Sequence, residues 1–133
     1  MAQIPEQAQH LLKWETKAFA YLALALKDGS PQVTPIWFDW DGAHVIINTA
    51  RGRVKDRALK RKAKVALAIS DPADPYRYMQ IRGSVVEETE EGGHEMISRL
   101  NEKYHGRNEY PKYPGQVRVT YKILPEKVFT NIK

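Results

Sequence analysis

The feature that most constrains this chain is a series of short apolar segments cut apart by reversal signals. Lys27-Asp28-Gly29-Ser30-Pro31 follows the apolar stretch Ala18–Leu26, and Asp41-Gly42 separates Gln32–Trp40 from Ala43–Thr49. Such residues turn a chain back on itself, and Asp-Gly suits the positive φ angles of a type I′ hairpin turn. Ala18–Leu26 has a composition that a helix would also accept, but the turn directly after it favours a strand. Three strands joined by tight turns make a meander, so the first part of the chain is expected to be antiparallel sheet.

Beyond it the periods alternate. Pro5 opens a short N-terminal helix through Leu11, Leu12 and Trp14. After the bend at Ala50-Arg51-Gly52, a helix is expected from about Arg53 to Lys62, with Val54, Ala58 and Leu59 as its apolar stripe. Lys64–Ser70 and Tyr76–Glu87 read as strands, the second with Gly83 as a bulge or a point of close approach. Glu87, Glu88, Glu90 and Glu91 read as a solvated turn before a helix from about Gly93 to Tyr104, which has Met96, Ile97, Leu100 and Tyr104 on one face. Gly106–Gly115 is a polar loop, and Val117–Ile123 and Val128–Ile132 are two closing strands. Six to seven mostly antiparallel strands with two to three helices predict a mainly β (α+β) single domain over residues 1–133, a small barrel with helices on its outside or ends.

Composition narrows the chemistry. The 133 residues contain no cysteine, which excludes disulfides, thiolate metal sites and thiol catalysis. The longest apolar run is too short to span a bilayer, and there is no basic segment leading into an apolar one at the start. A cytoplasmic protein is expected. His10, His44, His94 and His105 lack metal-ligand spacing. No Ser/His/Asp arrangement and no carboxylate pair suggests hydrolysis.

The net charge of +5 is unevenly spread: residues 51–64 carry eight basic groups and one acid, and the rest of the chain is net −2. A local anion is implied. Arg51, Arg53 and Lys55 crowd a strand-to-helix junction where acidic residues are ordinarily favoured. A bound phosphate would relieve their repulsion; a solvated basic helix face is the alternative. Nucleic acid is disfavoured, since the tyrosines do not interleave with the basic run and no nucleic-acid motif is recognisable.

The order of these features resembles the pyridoxamine 5′-phosphate oxidase-like split-barrel superfamily. The resemblance rests on Asn48-Thr49 at a strand end, the basic turn with Lys55, Leu59 in the helix, Lys64-Val65-Ala66-Leu67-Ala68-Ile69, and Met79-Gln80-Ile81-Arg82-Gly83-Ser84-Val85. The finish Val117–Ile123 followed by Pro125-Glu126-Lys127-Val128, and Asn101-Glu102-Lys103-Tyr104, are similar to its deazaflavin-dependent (F420) branch.

The resemblance implies an FMN-binding-like split β-barrel and a homodimer with cofactor sites at the interface. It implies coenzyme F420, or alternatively FMN, with Lys55 and Arg53 on the phosphate and Arg51 and Arg57 toward an acidic tail. Asn48, Thr49 and Ala50 would lie beside the cofactor, Pro35, Ile36 and Trp37 along its ring, and Tyr78, with Arg77, would come from the partner subunit. The implied activity is hydride transfer from reduced F420 to a small conjugated acceptor, with no catalytic residue assigned because the cofactor supplies the chemistry. A non-catalytic carrier of the cofactor or of a tetrapyrrole is the reading from another class. Residues for a substrate phosphate near the C-terminus, as in the FMN oxidases, have no match here.

Overall fold

In a computed structural model, residues 2–61 and 64–133 are described. Lys62, the expected end of the first long helix, lies outside them. Seven strands form one antiparallel sheet: β1 (Ala20–Ala25), β2 (Pro31–Ile36), β3 (Asp39–Trp40), β4 (Val45–Ala50), β5 (Lys64–Asp71), β6 (Asp74–Thr89) and β7 (Arg118–Thr130). Two α-helices interrupt it, α1 (Val54–Lys60) and α2 (Gly93–His105). The expected N-terminal helix is two 3₁₀ segments, Glu6–Leu12 and Trp14–Thr16, parted by extended backbone at Lys13.

The sheet order is β2-β1-β5-β6-β7-β4-β3. Its two edge strands are consecutive in the chain, so the simple meander expected for residues 18–49 is corrected. Gln32–Trp40 is not one strand. It breaks at Trp37-Phe38 and passes from one edge of the sheet to the other. The sheet curls, and this dipeptide joins the edges without a ladder between them: a mainly β split barrel.

The break has a physical cause. Phe38 is fully buried, its N–H donates to the Tyr104 hydroxyl at 3.2 Å, and its carbonyl accepts from Lys103 Nζ at 2.7 Å. Side chains of α2 therefore replace the ladder partners that Phe38 lacks. Inside the curl pack Leu22, Leu67, Ile69, Ile81, Tyr121 and Ile123, each buried, with Leu11 closing one side.

Other boundaries also moved. The two expected closing strands are one, β7, which runs through Pro125. Arg82 pairs with Lys127 and Gly83 with Pro125, so Glu126 is bulged out. Gly83 is where this fits, because a Cβ there would collide with the Leu124 carbonyl. At Asp41-Gly42 only Gly42 takes positive φ (97°), so the turn is not type I′. The Asp41 carboxylate instead accepts from the amides of Ala43 and His44. In α1, Ala58 and Leu59 are buried as expected, but Val54 is exposed and Asp56 is buried.

Candidate functional site

The chain reverses at residues 51–53 because Gly52 adopts φ 91°, which spares the Cβ clash. Arg53 N–H returns to the Ala50 carbonyl and Arg51 N–H to the Val117 carbonyl. The Asp56 carboxylate accepts the Gly52 N–H at 2.9 Å and the Tyr121 hydroxyl at 2.6 Å. Burial opposes the charge of Asp56, but the Tyr121 hydroxyl, the Gly52 amide and Arg51 together hold its carboxyl below the usual range. This buried acid pins the turn, so Arg53 and Lys55 leave it in fixed directions.

Both face a cleft of about 410 Å³ together with Pro35, Ile36, Trp37 and Asn48. The fold thus gathers six of the residues singled out by sequence from three separate segments. The cleft is also lined by Phe19, Ile97, Leu100, Tyr110 and Arg118, none of them singled out beforehand as site residues. Arg118 begins a strand whose alternation hides it among apolar neighbours. Its only signal in the sequence was a cation at a position that the alternating pattern assigns to one face.

Arg118 is the most informative of these. It is 8% exposed, and its guanidinium donates to Gln116 Oε1 at 3.1 Å, Asn48 Oδ1 at 3.4 Å and the Tyr110 hydroxyl at 3.1 Å. It also lies 4.9 Å from the centre of the Tyr110 ring. All of these partners are neutral. Among the described residues no carboxylate pairs with Arg53, Lys55 or Arg118. Burial, then the neighbouring Arg53, pushes the Lys55 ammonium pKa down. Burial depresses that of Arg118, with Tyr110 opposing and Arg53 adding to the fall. Three cations therefore face one cleft and repel each other, an arrangement that an anionic ligand would stabilise.

Arg51 takes another direction. It forms ion pairs with Glu88 (2.6 Å), Glu90 (2.8 Å) and Asp56 (3.1 Å). Burial weighs against its charge, but Glu90, Glu88 and Asp56 more than offset this and raise its pKa. The glutamates read as a solvated turn are in part the counter-charges of Arg51. Thr49 and Ala50 are buried and do not line the cleft, while Arg57 is exposed farther along α1. Tyr78 packs beside Phe129 on β6 and β7 (6.2 Å between rings), and is likewise not part of this cleft.

The aromatic wall is layered. Tyr104 stacks between Phe19 (5.1 Å) and Trp37 (5.4 Å), with ring planes within 14°. The Tyr104 hydroxyl donates to the Ala18 carbonyl at 2.6 Å, so the stack is tied to the backbone. Trp37 is thereby held as a flat, oriented face at the cleft mouth. Apolar and aromatic side chains and three cations lining one cleft suit a planar ring that carries an anionic arm. Among the described residues no cluster of three or more His, Asp or Glu could hold a metal ion. No helix among them is long and apolar enough to cross a membrane.

A family model described as pyridoxamine 5′-phosphate oxidase matches residues 4–131. Among solved structures, an F420 reductase is 31% identical, with a TM-score of 0.82 over 95% of this chain and 98% of its own. A conserved hypothetical protein of Mycobacterium tuberculosis is 20% identical, with a TM-score of 0.72 over 96% of this chain and 84% of its own. HupZ of Group A Streptococcus is 19% identical, with a TM-score of 0.67 over 98% and 96%. These last two share the fold. No curated protein sequence matches.

Proposed function

The chain belongs to the pyridoxamine 5′-phosphate oxidase family, and we propose that within it the protein is an F420-dependent oxidoreductase. The observation that carries this is the cleft with three cations, none paired to a carboxylate, below an aromatic wall. When bound, the deazaflavin supplies a hydride to an electron-poor double bond of a conjugated acceptor.

The residues fit such a group. Arg53 offers a planar fork of donors for a phosphate and Lys55 a point charge beside it. Asn48 is fixed by bonds from its Nδ2 to the Gly93 carbonyl (2.9 Å) and to Thr120 Oγ1 (3.2 Å), which aligns its carbonyl with Arg118. Pro35, Ile36 and Trp37 give the ring an apolar edge that sheds water. Thr49, Ala50 and Arg57 flank this set, and Arg51 serves it indirectly by steadying the turn. The likeness to an F420 reductase across nearly the whole chain supports the deazaflavin over FMN. A homodimer, with Tyr78 and Arg77 reaching the partner's cleft, completes the reading.

The test is a titration of the apoprotein with F420 and, separately, FMN, followed through tryptophan fluorescence because Trp37 lines the cleft. F420 is expected to bind at least about tenfold more tightly than FMN, a difference of ~1.4 kcal/mol. In the double variant Arg53→Ala/Lys55→Ala, F420 affinity should fall by about a hundredfold or more, since two charge-assisted contacts are removed. Preference for FMN would transfer the site to flavin chemistry; unchanged affinity in the double variant would sink the phosphate assignment.

A further inference from the structure

Arg118 borders two cavities. Beyond the cleft lies a smaller recess of about 260 Å³ lined by His94, Lys112, Tyr113, Gln116 and Arg118. Its lining contains no acid. Arg118 uses three of the five N–H donors of a guanidinium on neutral acceptors, so two remain for a ligand. The recess also meets the start of α2. That helix has thirteen residues, and no side chain caps its first turn. Gly93 packs so closely on the Arg118 carbonyl that a Cβ would collide with it, which sets the helix end directly against the arginine. A nine-tenths buried guanidinium without a counter-charge and an uncapped helix N-terminus are independent features, and both favour an anion at the same place. Glu95, the acid of that first turn, is exposed and does not line the recess.

We infer that this recess is a second anion site, in which Arg118, His94 and Lys112 receive a carboxylate of a ligand whose ring occupies the neighbouring cleft. The ligand part of this inference rests on the proposed F420 reading; the anion site itself does not. The carboxylate has two possible sources, the acidic tail of the cofactor or an acid group on the acceptor.

The site itself is tested in the apoprotein with glutarate as probe, followed by the backbone amide NMR signals of Gly93 and Gln116, which lie at the recess and are kept in every variant. A saturable shift is expected in the wild type, and its loss in Arg118→Gln. Because Arg118 is buried and that variant could misfold, His94→Ala/Lys112→Ala, which alters the less buried rim, is titrated in parallel and should weaken glutarate binding about tenfold. No saturable shift in the wild type overturns the site, whatever F420 does.

The source is then read with the rim variant. A loss of about tenfold in affinity for glutamate-tailed F420, with none for F420 lacking its glutamates, assigns the cofactor tail. Unchanged cofactor affinity, with KM raised about tenfold for a carboxylated acceptor but not for its methyl ester, assigns the acceptor. Glutarate binding with neither effect overturns the link to the cleft. If wild-type protein binds no F420 yet binds glutarate, the proposed function fails and the anion site stands.

Discussion

Lys103 is wholly buried, although the polar segment that holds it, Asn101-Glu102-Lys103-Tyr104, gives no sign of burial by its period. Its ammonium lies 4.1 Å from the centre of the Phe38 ring and bonds the Phe38 carbonyl. Burial pushes its pKa down to about 8, with Asp39 pulling it back and Arg99 adding to the fall. A lysine whose folded pKa is depressed costs stability while both states hold the proton, and the cost is relieved as pH rises from 8 toward the unfolded value. Urea midpoints are expected to rise between pH 8 and pH 9.5, by up to ~2 kcal/mol of stability, and this rise should be missing in Lys103→Met. Above pH 10 the gain reverses. Tyr104 and Tyr121 are both pushed up, chiefly by burial, and the unfolded chain ionises them first. A wild-type profile no steeper than that of Lys103→Met would mean that the ammonium is relieved in some other way.

Among the elements, α1 depends most on one side chain. It has seven residues, too few to be stable alone, and its N-cap makes no side-chain bond. What fixes it is Asp56, bound to Gly52, Tyr121 and Arg51. Asp56→Ala takes the acceptor from the buried Tyr121 hydroxyl and from the Gly52 amide, while Arg51 keeps Glu88 and Glu90, so a loss of about 2 kcal/mol is expected in denaturant unfolding, with a parallel loss of F420 affinity as Arg53 and Lys55 lose their direction. Asp56→Asn, which keeps a carbonyl for Tyr121 but not the charge, should fall between. A loss in Asp56→Ala below about 1 kcal/mol would show that water restores the turn.

For the whole molecule, the decisive event is the crossing at Trp37-Phe38. It joins edges that are first and last in the sheet, and it brings β2 next to the start of α1. Large apolar groups remain exposed on one chain, including Tyr76 at 87%, Val33 at 63% and Phe129 at 55%. Under the homodimer reading, a partner covers part of this surface. Sedimentation at micromolar concentration should give twice the chain mass, and Tyr76→Ser/Phe129→Ser should shift it toward one. A wild-type monomer that binds F420 with full affinity would remove the need for a shared site.

Much of this architecture is legible from local chemistry. Period and turn residues mark four of the seven strands, β1, β4, β5 and β6, and α2 to within a few residues, because alternation and reversal are local properties. Gly83 could be singled out for the same reason: a missing Cβ matters wherever backbones meet. The cationic junction also stood out, since Arg53 and Lys55 break a helix-end preference visible in sequence. What tertiary structure alone decided was where each charge goes. Arg51, Arg53, Lys55 and Arg61 look alike in one basic run, yet Arg51 meets Glu88 and Glu90, Arg61 meets the Ala25 carbonyl, and only Arg53 and Lys55 reach the cleft. Arg118, Lys103 and the break at Phe38 were invisible for the same physical reason. A buried cation is set by partners that lie 65 residues away for Lys103 and 70 for Arg118 and Asn48, and no periodicity in the chain encodes those distances.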